Sequence, residues 1–406
     1  MTLALPGTLL LDPGVIEDPY PFYRRLQMQA PIWQVPDREV FTVSSFALLA
    51  DAVARVDDFS SNMRSLLYRD DEGLPSRLPF GDAGVDALAT ADPPDHKMHR
   101  NVVFSELVAK RMAALEPDIA ATADRCIGRV LDAGVADFMV EVGNVVPITI
   151  ISQLIGFPDS DPDSLLRAAF DSTSMLGATS TLSQLNALVA RIGEIEGWIA
   201  DRVAVAIDQP DDDILGAVAR GIEDEVFTVH EGCVVLHTLL SAGGESTTSL
   251  LGNAVHLLAD NHDLQAHLRG HPDLVPAFIE EVLRLESPFR FLMRSVPETT
   301  SLGGTEIRGG ATVLLLWGAA NRDPAEFDDP DQVVLDRPML RRHVAFGRGI
   351  HYCVGAPLAR LEARIVVARL LERTRSITLD TSDAPRRVES LMVRRHQKLP
   401  LRVVPQ

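Results

Sequence analysis

The stretch Phe346-Gly-Arg-Gly-Ile-His-Tyr-Cys-Val-Gly355 decides how the rest of the chain is read. Three glycines and a cysteine lie in one loop, and a helical pattern, Ala356 to Leu371, follows at once. Pro357 falls in the first turn, where its missing N–H costs little. A cysteine just ahead of a helix start meets unpaired N–H groups and the positive end of the dipole. Both stabilise a thiolate and lower its pKa. Thiolates are good ligands for iron, and glycines let the backbone pass close to a flat, bulky object. A lone cysteine beside a glycine turn is more often structural, so this reading needs company elsewhere.

Company is found in three places. Glu281-Val-Leu-Arg284 puts an acid and an arginine three apart, on one helix face, in reach of a bidentate ion pair. Leu239-Leu-Ser-Ala-Gly-Gly-Glu-Ser-Thr-Thr-Ser249 carries two adjacent glycines in a helical pattern. Each costs ~1 kcal/mol relative to alanine, so a cofactor or substrate pressed against the backbone is expected there. In Asp92-Pro-Pro-Asp-His-Lys-Met-His-Arg100, His96 and Arg100 stand four apart on one face, with His99 off it.

Taken together, Phe346, Gly349, Cys353 and Gly355 form a Phe-x-x-Gly-x-x-x-Cys-x-Gly pattern that resembles the haem-binding loop of the cytochrome P-450 superfamily. The other segments resemble that superfamily's further motifs, in its order, from about Asp18 to Leu401. The resemblance implies a mainly α fold with minor β (α+β), a triangular helix-rich domain with small sheets. It implies haem b, with Cys353 as the iron's thiolate ligand, and further cofactor contacts from Ala242, Phe346, Gly347 and Gly355. His96, Arg100, Arg294 and His351 match its partners of the haem propionates, the expected chemistry of cationic donors facing carboxylates. Glu281, Arg284 and Arg322 match a buried structural lock. Glu245 and an alcohol match the acid–alcohol pair that delivers protons on the distal side. The alcohol is Ser246 where threonine is commoner, with Thr247 following as the rival. Substrate contacts are implied for the 60–90 loop, Thr238, Ser241, Ala242, Phe289, Phe291, Leu292, Leu391 and Met392, mostly apolar.

The activity so implied is monooxygenation, the hydroxylation of a small to medium hydrophobic compound with O2. A thiolate ligand favours O–O cleavage. No flavin or iron–sulfur motif follows Cys353, so electrons are expected from a separate ferredoxin and ferredoxin reductase. Arg341, Arg342, Arg348, Arg360, Arg364 and Arg369 suggest a basic docking patch around the cysteine. Two other readings are a peroxide-driven peroxygenase, against which Glu245 and Ser246 argue, and a haem-based sensor or carrier, for which no output domain is visible.

Composition agrees. The 406 residues, 46% hydrophobic and 23% charged, are ordinary for a globular protein. The motifs from His96 to Cys353 converge on one cofactor, so one domain over residues 1–406 is expected, with 1–17 a flexible lead-in. Fifty-seven acidic against 38 basic residues give a net charge of −19, which disfavours nucleic-acid binding. Cys126, Cys233 and Cys353 fit no zinc knuckle and no disulfide framework, so a reducing cytoplasm is expected; a monomer is expected as well. Leu3 to Leu11 is broken by Pro6 and Gly7 with no basic residue ahead of it, so it reads as neither signal nor anchor. No uncharged run reaches the ~20 residues of a membrane span.

Helical periodicity covers 97–131, 163–205, 229–260 and 273–286. Strands are expected at Glu39–Val43, at two hairpins around Gly303-Gly304 and Gly309-Gly310, and near Ile377–Leu379 and Leu401–Val404. The turn-rich stretch from Ser60 to Asp95 reads as a lid or binding loop.

Overall fold

Periodic apolar residues that stand three and four apart bury one stripe of a helix, but the 229–260 stretch is apolar nearly all round and must be buried on every side. It forms one helix, Val229–Asp260, of 32 residues. At 1.5 Å per residue that is ~48 Å. Thr228 opens it with a reciprocal cap: its hydroxyl accepts from the Glu231 N–H, and the Glu231 carboxylate accepts from the Thr228 N–H at 2.7 Å. Around this helix pack Val145–Ile155, Pro162–Met175, Leu182–Asp208 and Ala356–Arg373. Their apolar faces make the main core, which includes Leu236, Leu240, Leu251, Val255, Val366 and Leu370.

The computed structural model describes residues 5–81, 84–107 and 109–406. The expected 97–131 helix is broken into pieces that include Asp95–Glu106 and Glu116–Ala133. The strands are few. Ile32–Gln34, Val40–Val43, Thr312–Leu315 and Leu292–Ser295 form a four-stranded sheet in that order. Val40–Val43 runs parallel to Thr312–Leu315, with Phe41 opposite Val313. All four of its residues are buried, as a central strand covered on both faces requires. Thr300–Leu302 and Thr305–Ile307 make the hairpin expected around Gly303-Gly304, both with positive φ. The second hairpin does not form. After Gly310 the chain enters the larger sheet instead, because Thr312–Leu315 is apolar enough to be buried between two strands. Near the C-terminus, Ile377 pairs with Val403 and Leu379 with Leu401.

Two further expectations change. Within the Ser60–Asp95 stretch, Ser65–Arg69 and Pro75–Pro79 pair antiparallel, with Leu67 opposite Arg77; residues 82 and 83 lie outside the described residues. The lead-in is structured over its described part. Gly7–Leu11 and Pro13–Glu17 are short helices, the second capped by Asp12, and Leu10 and Leu11 are buried against Leu26 and Trp33. Residues 1–4 of the expected flexible segment lie outside the described residues.

Candidate active site

The cysteine loop takes its shape from its glycines. Gly347 and Gly349 have φ of +71° and +73°, and a Cβ on Gly349 would stand 3.1 Å from Val53. The Cys353 N–H donates to the Phe346 carbonyl at 2.9 Å, closing the loop, and Gly355 leads into the Ala356–Arg373 helix. Cys353 has accessible surface, unlike Cys126 and Cys233, yet it is crowded by protein. Burial therefore pushes its thiol above the ordinary value, against the N–H groups of Gly355 and Ala356 and the charges of Arg100 and Arg360. The sequence led us to expect a lowered pKa. The helix terminus acts in that direction, but desolvation is the larger influence.

Four basic side chains gather beside this loop. His96 and His351 meet ring to ring at 4.1 Å. Arg100 donates to the Tyr352 carbonyl at 2.8 Å. Burial lowers Arg294 to about 10, although Asp92 nearby acts the other way. The Arg294 hydrogen bond runs to the carbonyl of its own neighbour Met293. Burial, then the charges of His96, Arg294 and Arg100, drives His351 down to about 3. Its Nε2 is buried without a partner. These donors, His96 and Arg294 buried and Arg100 and His351 half-buried, outnumber the one carboxylate nearby, Asp92, which accepts from Ser60 and Ser61, and so suit a dianionic group such as the two haem propionates. His99 is separate: it accepts from the Leu88 N–H and stacks on Phe227 at 4.7 Å. Replacing Arg294 by Leu is expected to speed haem loss by about 10- to 100-fold, the range for losing an outer partner of a metal group. Haem transfer to an excess of a haem-free globin measures it, and an unchanged rate would remove Arg294 from the clamp.

On the long helix, Glu245 is fully buried. Arg395 donates to it at 2.7 Å and the Thr173 hydroxyl at 3.1 Å. Burial raises its carboxyl pKa, with Arg395 opposing. The Ser246 hydroxyl donates to the Ala242 carbonyl at 2.6 Å, one turn back. Ala242 and Ser246 share one face and are half-buried, whereas Thr247 is buried. The two glycines have a different cause from the one expected. A Cβ on Gly243 would stand 2.7 Å from Ile151, and one on Gly244 3.3 Å from Ala169 and Ile148. They admit neighbouring helices.

The structural lock is corrected in one member. Glu281 accepts two bonds from Arg284, at 2.7 and 2.9 Å, and both residues are fully buried. Burial alone would raise the Glu281 carboxyl, but hydrogen bonds from Arg284, the Val334 N–H and Arg337 hold it below the ordinary value. The second arginine on Glu281 is Arg337, at 3.1 Å. Arg322 instead reaches Glu286 at 3.0 Å and the Leu285 carbonyl. The adjacent Glu280, missed in the sequence, takes Arg360 at 2.7 Å and His343 at 2.9 Å, tying this helix to the one behind Cys353. The sequence offered no signal for Glu280 or Arg395, because their partners lie 80 and 150 residues away.

The expected basic patch is largely paired: Arg341 and Arg360 with Glu280, Arg342 with Glu326, Arg364 with Glu116, Arg369 with Asp124 and Glu372. Arg348 is exposed and lies over the Phe46 ring. Among the expected substrate contacts, Thr238, Ala242 and Phe289 are half-buried, Leu292 is exposed, and Ser241 is buried. Phe291, Leu391 and Met392 are instead enclosed in an apolar cluster with Leu314 and Leu316. They are core residues, because the sheet and the C-terminal segment need each other's apolar faces.

A sequence model described as Cytochrome P450 matches residues 271–401. Cytochrome P450 144 of Mycobacterium tuberculosis is 37% identical over 405 residues, covering 99% of this chain and 93% of the relative. This chain belongs to the cytochrome P450 family. Cytochrome P450 107B1 of Saccharopolyspora erythraea is 34% identical, covering 98% of each chain. Among solved structures, CYP109E1 of Bacillus megaterium in complex with testosterone superposes with a TM-score of 0.85 at 28% identity, covering 96% of this chain and 99% of that one. The fold is therefore the P450 fold, and this P450 is a monooxygenase, an oxidoreductase whose cofactor is cysteine-ligated haem iron. The family works with electron-transfer partners and small-molecule substrates. Among the described residues no helix is long and apolar enough to cross a membrane.

Proposed function

We propose that Cys353 is the haem ligand of this P450, in a single domain formed by the whole chain, and that the enzyme hydroxylates a small to medium hydrophobic compound with O2. The observation that carries the reading is the cluster of His96, Arg100, Arg294 and His351, four buried or half-buried basic groups against the single nearby acid Asp92, around the loop that presents Cys353. Haem, when bound, supplies the activation of dioxygen. The chain supplies the rest. The four basic groups fix the cofactor's carboxylates. Arg360 and His343, through Glu280, hold the Ala356–Arg373 helix against Val275–Leu285, so the loop between them keeps its place. Ser246, on the accessible face with Ala242, offers a hydroxyl that can pass protons, and Glu245 behind it takes up and releases them. Electrons come from a ferredoxin and its reductase. Half-buried Thr238, Ala242 and Phe289 and exposed Leu292 suit an apolar substrate.

Compounds that move the iron from low to high spin identify the ligand class, and the tightest of them serves in turnover. General acid–base groups contribute about 100- to 10,000-fold, so Ser246→Ala is expected to cut product formed per NADH at least ~10-fold with the spin shift retained. Thr247→Ala is expected to leave that ratio within about twofold of the native enzyme, since its side chain is buried off the Ser246 face. The reverse pattern would make Thr247 the alcohol.

A further inference from the structure

Three helices bring together a set of polar side chains that the site just described does not use. His237, 7% exposed on the long helix, has its Nε2 2.7 Å from the hydroxyl of Ser172 on Pro162–Met175. Its Nδ1 lies 3.4 Å from a carboxylate oxygen of Glu196 on Leu182–Asp208. About a third of the Glu196 side chain is open to solvent. The trio has the composition of a hydrolytic triad but not its disposition. Ser172 is buried, and its hydroxyl already donates to the Ala168 carbonyl one turn back at 2.8 Å, so it presents no nucleophile to a substrate. What the trio does have is direction. His237, Ser241 and Glu245 follow one another at four-residue steps, on one face of one helix. Beside them on the neighbouring helix run Ser172 and Thr173, the first on His237 and the second on Glu245. Between the two ends lies the Ser241 hydroxyl, buried and without a protein partner. A hydroxyl so placed both accepts and donates, and bridging water is its ordinary complement in a protein interior.

We propose that Glu196, His237, Ser172 and Ser241 form a proton path from the surface to Glu245. It rests on the reading of Glu245 as the distal acid. Monooxygenation consumes protons as well as electrons, one oxygen atom leaving as water, and a fully buried Glu245 held by Arg395 has no direct access to solvent from which to recover them. A proton from water enters on the Glu196 carboxylate and passes to His237 Nδ1. His237 gives up a proton from Nε2 to the Ser172 hydroxyl, which turns from the Ala168 carbonyl and releases its own proton through bridging water to the Ser241 hydroxyl, and that hydroxyl in turn passes its proton to Glu245. Each carrier releases as many protons as it takes, and electrons travel separately from NADH through the redox partners. His237 suits the relay because imidazole can hold a proton on either nitrogen.

The test needs no knowledge of the substrate, because NADH consumption by the haem-loaded enzyme draws protons even without one. NADH consumption with a plant-type ferredoxin and its reductase is measured in H2O and D2O for native enzyme, His237→Phe, Ser172→Ala, Glu196→Gln and Glu245→Gln. Oxidation of guaiacol driven by hydrogen peroxide, which brings its own protons, is measured alongside. The expected result is a ~10-fold fall in NADH consumption with a larger solvent isotope effect in His237→Phe, at the lower end of what positioned acid–base groups contribute. Ser172→Ala and Glu196→Gln shift in the same direction, and all keep peroxide-driven oxidation within twofold. If Glu245→Gln loses NADH consumption while His237→Phe and Glu196→Gln keep it and its isotope effect, the path is wrong and the distal acid stands. If Glu245→Gln changes neither readout, the distal acid itself fails and the path with it. An equal fall of both activities in His237→Phe would mark a packing role and overturn the proposal. If His237→Phe does not fold, Glu196→Gln, altered near the surface, decides alone by its isotope effect.

Discussion

Cys353→His is expected to abolish the long-wavelength Soret band of the reduced, carbon-monoxide-bound protein and to lower NADH-driven turnover by more than the ~10- to 100-fold that loss of an outer partner brings. The loop reaches its shape through Gly347, Gly349 and the bond from the Cys353 N–H to the Phe346 carbonyl, none of which depends on the sulfur. The substitution therefore changes the ligand and leaves its platform. Imidazole does not push electron density onto iron as thiolate does, so O–O cleavage loses its driving term. The raised pKa of the free thiol sharpens the expectation. Burial disfavours an uncompensated thiolate at this position, and the N–H groups of Gly355 and Ala356 with Arg100 and Arg360 offset that only in part. A metal ion removes the proton outright, so haem binding should release protons, and that release should be absent in Cys353→His. A Soret band unchanged by the substitution would falsify the assignment of Cys353.

The second large effect concerns Glu281. Glu281→Gln leaves Arg284 and Arg337 buried with their charges unmatched, and breaking such a pair costs about 3–5 kcal/mol. Arg337→Met leaves Glu281 with Arg284 alone and should cost most of that amount. Arg322→Met should cost only about 1–2 kcal/mol, because its partner Glu286 keeps Arg394 at 2.8 Å and Arg322 never touches Glu281. Shifts of the urea midpoint at fixed haem loading rank the three. Equal losses for Arg322→Met and Arg337→Met would undo the distinction.

Much of this was legible in the sequence because it is local. The Phe346–Gly355 loop, the Glu281/Arg284 pair and the His96/Arg100 pair each lie within ten residues, where spacing alone sets which side chains can meet. The long helix was legible for the same reason, as were the Gly303-Gly304 hairpin and the strands around Ile377 and Val403, whose pairing with each other the structure supplied. The second hairpin failed because Thr312–Leu315 found better burial between Val40–Val43 and Leu292–Ser295 than a local turn could give. Gly243 and Gly244 were read as room for a cofactor, whereas the space they leave is filled by Ile151 and Ala169. Helix-to-helix approach of that kind leaves no mark in a single sequence.

The sequence by itself determined the family, the mainly helical class and the one cysteine set in a glycine loop, since each rests on residues close together in the chain. Only the tertiary structure decided which side chains share a buried charge. It gave Glu281 to Arg337 and not Arg322, Glu245 to Arg395, and Glu280 to Arg360 and His343. It also placed His237 between Glu196 and Ser172, and reversed the expected direction of the Cys353 pKa. The physical reason is common to all of these: desolvation and ion pairing depend on what surrounds a group in space, and the partners of Glu281, Glu280 and Glu245 come from 56 to 150 positions away.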